Sequence, residues 1–516
     1  MTPSSESRAS SPALRRALVV AALVALAVRL PLLVVVARHP GRAFTPDSWE
    51  YHLAATNWLE RGVLSTDAGP PFRPTARRTP GYPLFLTAHY AVGLGAREVL
   101  LTQWVLEAAT ALLVAALCAQ MFGAAGALAA GLFYAVSVAS VVSCCQLLSE
   151  TLFTFLLVAH LWALVRALRG GPGCRWAAVS GACAGAAVLC RPLAVGVPGL
   201  ELLVLVAGHG GRSRLKPAAA SALFAFLTLA PWLTRNCVVF GRPFVSTVSA
   251  YNALFIEAGV LEAKASGRLL SDVQRDWKAE FAAVRQRHGG DLSEYDESRL
   301  WLRKAYPLLR RQPLRLAAVH LRSDANTLMP AVTKLLELVG ATQGGRGTLS
   351  VLHRAGVVAA VRHYFGGKAA LLWRCLPLLG LHVALLAVAC AGAVRLVRDR
   401  RPEWLPLGAL FLYFVLPPGP VADFRFQTPL VPILALWAGY FVGVARRVWN
   451  GVQRTDAKGQ RRGGGREFCM DRAAPRSRSP DSFPCRSSRT GVPPTSSLVG
   501  RAGTPRSLVP RLLPGC

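Results

Sequence analysis

The chain has 516 residues, 53% of them hydrophobic and 17% charged, with 59 Lys+Arg against 27 Asp+Glu for a formal net charge of +32. A mean hydropathy of +0.36 is too apolar for a string of soluble domains, and the basic residues punctuate apolar runs instead of forming the patch a nucleic-acid binder needs. The twelve Cys contain no C-x-x-C pair, so neither a zinc site nor a cystine scaffold is indicated, and what remains is a polytopic membrane protein.

A spanning helix needs about 20 apolar residues. The first run, 17–36, follows Arg15 and Arg16 and is interrupted only by Arg29 and Pro31. Its core is too long for a signal peptide and no small-x-small cleavage site follows, so it reads as an uncleaved anchor. Further runs lie at 99–118, 124–142, 151–168, 176–190, 193–207, 217–233, 369–394, 404–417 and 429–445, making about ten spans, with 82–94 not crossing. This assignment puts five basic clusters on one side: Arg15/Arg16, Arg166/Arg169/Arg175, Arg212/Arg214/Lys216, Arg395/Arg398/Arg400/Arg401 and Arg446/Arg447. Both termini are then cytoplasmic, and the segments 39–96 and 237–368 are extracytoplasmic. Within the second, 294–322 has apolar residues at helical spacing among many Arg (Leu300, Leu302, Tyr306, Leu309, Leu316). That pattern fits either a helix on the bilayer surface or a soluble helix packed on its neighbours. Residues 1–450 form the membrane domain. The stretch 454–516, with 13 Lys+Arg, 4 Asp+Glu and abundant Ser, Pro and Gly, is expected to be a disordered cytoplasmic tail.

Charged groups at membrane depth are costly and therefore candidates for function. Asp47 and Glu50 lie in the first external loop, Glu150 opens the fourth span, Arg191 sits between the fifth and sixth, Arg235 and Asn236 end the seventh, and Arg425 precedes the last. All fall at one membrane face, as a site for an anionic, membrane-borne ligand requires. Arg29 and Glu107, deeper in the first two spans, read as a buried structural pair. Arg191 and Arg235 equally fit snorkelling anchors, and Trp49, Tyr51 and Trp232 an aromatic belt. There is no P-loop, H-E-x-x-H or nucleophile elbow.

These residues resemble the landmarks of GT-C membrane glycosyltransferases, in the bacterial branch that contains protein O-mannosyltransferase-like enzymes, lipid A aminoarabinose transferase and the lipopolysaccharide-core transferases of rhizobia. The likeness rests on Pro46-Asp47, Tyr51 and Gly62, then Arg78-Thr79-Pro80-Gly81-Tyr82-Pro83-Leu84, Ser149-Glu150, Arg191-Pro192, Pro231-Trp232 with Arg235-Asn236, and Arg425 with Pro429 and Pro432. One departure is that Asp47 is followed by Ser48, so the acidic pair is split, with Glu50 the next acid. The resemblance implies an all-α, GT-C-like fold and transfer of a sugar, with inversion, from a polyprenyl phosphate donor to a lipid, glycan or protein hydroxyl. The place would be the outer face of a bacterial plasma membrane, among membrane lipids, with no nucleic acid, cofactor or obligatory metal. Asp47, treated as an exposed loop carboxylate, is the expected general base, with Glu50 beside it. Tyr51, Tyr82, Glu150, Arg191, Arg235, Asn236 and Arg425 are the expected substrate-binding residues. The competing reading is a secondary transporter or flippase of a lipid-linked or anionic substrate.

Overall fold

The computed structural model describes residues 12–169, 173–207, 215–289, 292–342, 348–365, 369–421 and 423–463, and every regular element among them is helical. Residues 1–454 form one body, described below. Of the segment 455–516 only the helical residues 455–463 are described, so the expected disorder of the tail beyond 463 lies outside the described residues, as do Arg212 and Arg214.

In chain order the first half contains α1 (Pro12–Arg38), α2 (Pro46–Arg61), α3 (Gly81–Ala91), α4 (Ala96–Phe122), α5 (Ala127–Val136), α6 (Val138–Cys144), α7 (Glu150–Arg169), α8 (Gly173–Cys190), α9 (Val197–Ala207) and α10 (Leu215–Phe240). Then come α11 (Val248–Tyr251), α12 (Gly259–Ser266), α13 (Leu270–Arg287), α14 (Glu294–Arg311), α15 (Pro313–Thr327), α16 (Val332–Leu338), α17 (Thr348–Tyr364), α18 (Ala369–Arg398), α19 (Trp404–Val415) and α20 (Val431–Gly463). Seven segments, within α1, α4, α7, α8, α10, α18 and the Phe424–Asn450 stretch that includes most of α20, are long and apolar enough to cross a membrane; the pair with α5 and α6, bent by 55°, is long and apolar enough only when taken together, as a broken span or a re-entrant loop. The chain is an integral membrane protein. The other two of the ten expected spans correspond to Pro192–Ala207 and Trp404–Val415, and at 1.5 Å per residue the latter reaches only about 18 Å. The 82–94 stretch holds α3, which at 11 residues is too short to cross alone.

The bend between α5 and α6 explains the expected Arg29–Glu107 pair. A break in a helix leaves carbonyls without their intrahelical donors. Arg29, fully buried on α1, donates to Ala135 O (2.9 Å), to Ser140 Oγ (2.8 Å) and to Glu107 Oε2 (2.8 Å). Ser140 Oγ donates to Tyr134 O (3.1 Å) and Ser137 O (3.0 Å). Glu107 also accepts from Tyr134 OH (2.9 Å) and Thr151 Oγ1 (3.1 Å). One ion pair therefore ties α1, α4, the α5–α6 break and α7 together.

Farther round the bundle, small residues replace polar contacts. A Cβ on Gly181 would lie 2.1 Å from Ser221 O, and one on Gly185 2.8 Å from Ala225 O, so the Gly-x-x-x-Gly stripe of α8 lets α10 approach backbone to backbone. The 237–368 segment builds a separate aromatic core in which Phe255, Phe281, Trp301 and Ala305 are buried. The region read as one helix over 294–322 is two, α14 and α15. Gln312 leaves the helical conformation before Pro313, as expected of a residue preceding proline, and Pro313 then suits the first turn of the next helix.

Candidate active site at one end of the bundle

Local sequence fixes the two acids. Thr45 caps α2: its Oγ1 accepts from Ser48 N (3.2 Å) while Ser48 Oγ accepts from Thr45 N (3.0 Å), with Pro46 in the first turn. Asp47 therefore stands in the first turn, where the positive end of the helix favours a carboxylate, and Glu50 follows on the same face. The helix stops at Gly62, whose φ of 70° is the left-handed conformation open to glycine.

The loop from Gly62 returns to this face through Arg77 and Arg78. At Gly81 a Cβ would sit 2.7 Å from Leu189 O. Only glycine permits this loop to lie against the end of α8, beside Arg191. Arg78 then bridges both acids, Nη2 to Asp47 Oδ1 (2.6 Å) and Nε to Glu50 Oε2 (2.7 Å), and Arg77 takes Glu50 Oε1 (2.7 Å). From the far end of the sequence Arg425 Nη1 reaches Asp47 Oδ2 (2.5 Å). Its Nε lies 3.9 Å from Glu150 Oε1 and 3.7 Å from Asp423 Oδ2. Glu150, at the start of α7, pairs with Arg191 Nη1 at 2.6 Å. Arg191 lies against the rings of Phe153 (5.8 Å) and Phe426 (5.3 Å).

Asp47, Glu50, Glu150 and Asp423 thus alternate with Arg77, Arg78, Arg191 and Arg425 in one neutral chain of ion pairs. Burial alone would raise the Asp47 carboxyl, but the charges of Arg78 and Arg425 outweigh it and hold it well below the usual carboxylate range. Asp47 is 28% exposed, so it is accessible without being the free loop carboxylate expected from sequence. Its removal leaves two guanidiniums short of a partner.

Five of the nine anticipated residues, Asp47, Glu50, Glu150, Arg191 and Arg425, meet in this chain; Tyr51 and Tyr82 lie beside it, and Arg235 and Asn236 do not join it. Tyr51 is buried, its hydroxyl 3.3 Å from Ser149 Oγ and its ring under the Arg78 guanidinium at 5.1 Å. Tyr82 lies beneath it, fully buried; its OH donates to Gln103 Oε1 (2.7 Å), and Gln103 Nε2 donates to Cys144 O (3.0 Å) and Gln146 O (2.9 Å). Tyr82 therefore braces the floor. Arg235 stands apart: it stacks on Trp232 (4.9 Å) and Phe240 (5.2 Å) and donates to Thr75 O (3.0 Å) and Asn236 Oδ1 (2.9 Å). Asn236 is buried and donates to Phe244 O (2.7 Å). Trp232 is buried with its Nε1 donating to Val245 O (2.7 Å), whereas Trp49 is exposed.

Sequence reasoning missed Arg77 and Arg78 as site residues, although two acids on one helical face call for cations nearby. It also missed Glu294, the first residue of α14. Glu294 accepts from Thr75 Oγ1 (2.6 Å), Ala76 N (3.2 Å) and Thr247 Oγ1 (2.5 Å), and so fastens the loop before Arg77 to the aromatic-core segment.

Residues 77–234 match the family described as dolichyl-phosphate-mannose-protein mannosyltransferase, a stretch that takes in Arg77, Arg78, Tyr82, Glu150 and Arg191. The resemblance to the GT-C membrane glycosyltransferases is borne out by this match. No curated protein matches the chain. Among solved structures it is similar to the archaeal oligosaccharyltransferase AglB from Archaeoglobus fulgidus in complex with an inhibitory peptide and a dolichol-phosphate, with 14% identity, a TM-score of 0.47, and coverage of 86% of this chain and 52% of that one. It is also similar to ArnT from Cupriavidus metallidurans bound to undecaprenyl phosphate, with 14% identity, a TM-score of 0.36, and coverage of 82% and 77%. The chain spans about half the length of the oligosaccharyltransferase.

Proposed function

We propose that the chain is a GT-C glycosyltransferase that moves a sugar from a polyprenyl phosphate donor to an acceptor hydroxyl on the extracytoplasmic face of the membrane, with inversion at the anomeric carbon. The observation that carries this reading is Asp47 held between Arg78 and Arg425 at one end of the bundle. Guanidiniums bind phosphate by paired, charge-assisted hydrogen bonds. A donor phosphate entering the chain of ion pairs competes with Asp47 for Arg425 and Arg78. Its charge offsets theirs, and the proton affinity of Asp47 rises from its depressed value. The carboxylate becomes a stronger base when the donor is in place.

The acceptor hydroxyl then attacks the anomeric carbon and gives its proton to Asp47. The bond from that carbon to the phosphate oxygen breaks, and the polyprenyl phosphate leaves with the bonding pair, its charge stabilised by the arginines. Glu50 keeps Arg77 and Arg78 oriented, and Glu150 does the same for Arg191. The test is incubation of the purified, reconstituted chain with a panel of radiolabelled polyprenyl phosphate sugars and lipid, glycan and protein acceptors. Label appearing in an acceptor supports the reading; no transfer from any donor in the panel contradicts it.

A further inference from the structure

The α15 helix is apolar on its outward face as well as its inward one. Its inward face carries Leu316 and the buried Val319 beside His320 and Asp324, while Leu314, Ala317, Ala318 and Leu321 share the outward face, with Leu314 85% and Leu321 73% exposed. A helix facing water presents polar and charged residues outward, whereas this face of α15 presents four apolar ones.

The inward contacts show where this helix sits. His320 Nδ1 lies 3.3 Å from Leu416 O at the end of apolar α19, and Asp324 Oδ1 accepts from Gly419 N (3.1 Å) in the turn that leads to Arg425 and the span beyond it. The residues after α15 return into the main bundle core, where Ala331 and Leu338 are buried with α1 and α6 residues. The helix thus crosses the end of α19 and the turn before the Phe424–Asn450 span. Beside its apolar stripe stand Arg315 and Arg322, and at its start Arg310 and Arg311. None of these four has a carboxylate partner among the described residues.

We propose that α15 lies in the lipid surface on the site's side of the membrane, with Leu314 and Leu321 among the acyl chains and the four arginines on anionic headgroups. Apolar side chains flanked by unpaired basic residues are the composition of an interfacial helix. Because Asp324 holds Gly419, six residues before Arg425, the lipid contact is connected directly to the loop that supplies one cation of the site.

The test places a nitroxide at Leu314→Cys, Leu321→Cys and, as a water-facing reference, Lys278→Cys on α13, each in the full chain depleted of its other cysteines and held in nanodiscs. The discs contain phosphatidylcholine with or without phosphatidylglycerol. At 314 and 321, collisions with oxygen should exceed those with a water-soluble nickel chelate by several-fold more than at 278. The excess should shrink without phosphatidylglycerol, or in Arg315→Gln/Arg322→Gln. Ready access of the nickel chelate at 314 and 321 would overturn the proposal, and so would protection from both agents, which would mean a protein covers the helix. An excess indifferent to lipid charge and to the Arg substitutions would overturn the role given to the arginines.

Discussion

Exchanging Glu107 for Gln alters one atom and no volume, yet it should be among the most destabilising changes available in the bundle. Arg29 is fully buried and cannot shed its proton, so the variant leaves a cation inside the membrane with only neutral partners. The new amide also turns an NH2 group toward one of the three donors that meet the carboxylate, Arg29, Tyr134 and Thr151. Removing one member of a buried ion pair costs about 3–5 kcal/mol. The carbonyl and hydroxyl bonds of Arg29 to Ala135 and Ser140 remain, so the lower end of that range, about 3 kcal/mol, is the expected loss. Thermal unfolding in detergent, followed by intrinsic fluorescence and by retention of the monodisperse peak, should show a clear drop in the apparent Tm. Arg29→Met/Glu107→Leu, which removes both charges, should recover most of it. A Glu107→Gln protein that melts like wild type would refute the account of how the α5–α6 break is held. Normal melting with lost turnover would move the pair into the chemistry.

Three other outcomes follow from the geometry. Because Arg78 and Arg425 lower the Asp47 carboxyl, it stays ionised in the free protein below its ordinary pKa of about 4; its pairing stabilises the fold above that value and is lost as pH falls through the depressed one. Arg425→Gln should raise the Asp47 carboxyl and move the acidic limb of the kcat/KM profile upward, and an unmoved limb would show that another group is responsible. Truncation after Asn450, where the last apolar span ends, should leave insertion and transfer intact; loss of either would give the tail a function. Single cysteines replacing Trp49 and Arg299 should label from outside intact cells and those replacing Lys216 and Arg398 should not. Labelling of the second pair would invert the topology.

Much of this was legible in the chain. Apolar runs bounded by arginines mark the seven or eight long apolar segments, and five charged residues separated by up to 378 positions read as belonging to one face. They could be grouped because each stands at the end of an apolar run, and polar groups near a membrane have few places to go. What escaped was partner choice. Nothing in the spacing says that Arg425 takes Asp47 while Glu150 takes Arg191, or that Arg235 stacks on Trp232 and Phe240 instead of joining them. Those outcomes depend on how closely backbones approach at Gly81 and on a tether, Glu294, that is far from Thr75 in sequence. The division of 294–322 was written in Gln312-Pro313, a dipeptide signal masked by an uninterrupted helical pattern.

The most direct test of the central claim is the turnover of Asp47→Asn with a donor already shown to be used by the wild-type chain. Asn keeps the size and accepts a hydrogen bond but cannot take the acceptor's proton. Its melting temperature and donor binding, measured first, separate the cost of leaving Arg78 and Arg425 underpaired from the loss of chemistry, and Glu50→Gln serves as the parallel exchange. With a folded variant that still binds donor, turnover should fall about 10²–10⁴-fold while Glu50→Gln changes it far less. Wild-type turnover in Asp47→Asn would contradict the assignment of the base and with it the reading of this face as the place of sugar transfer.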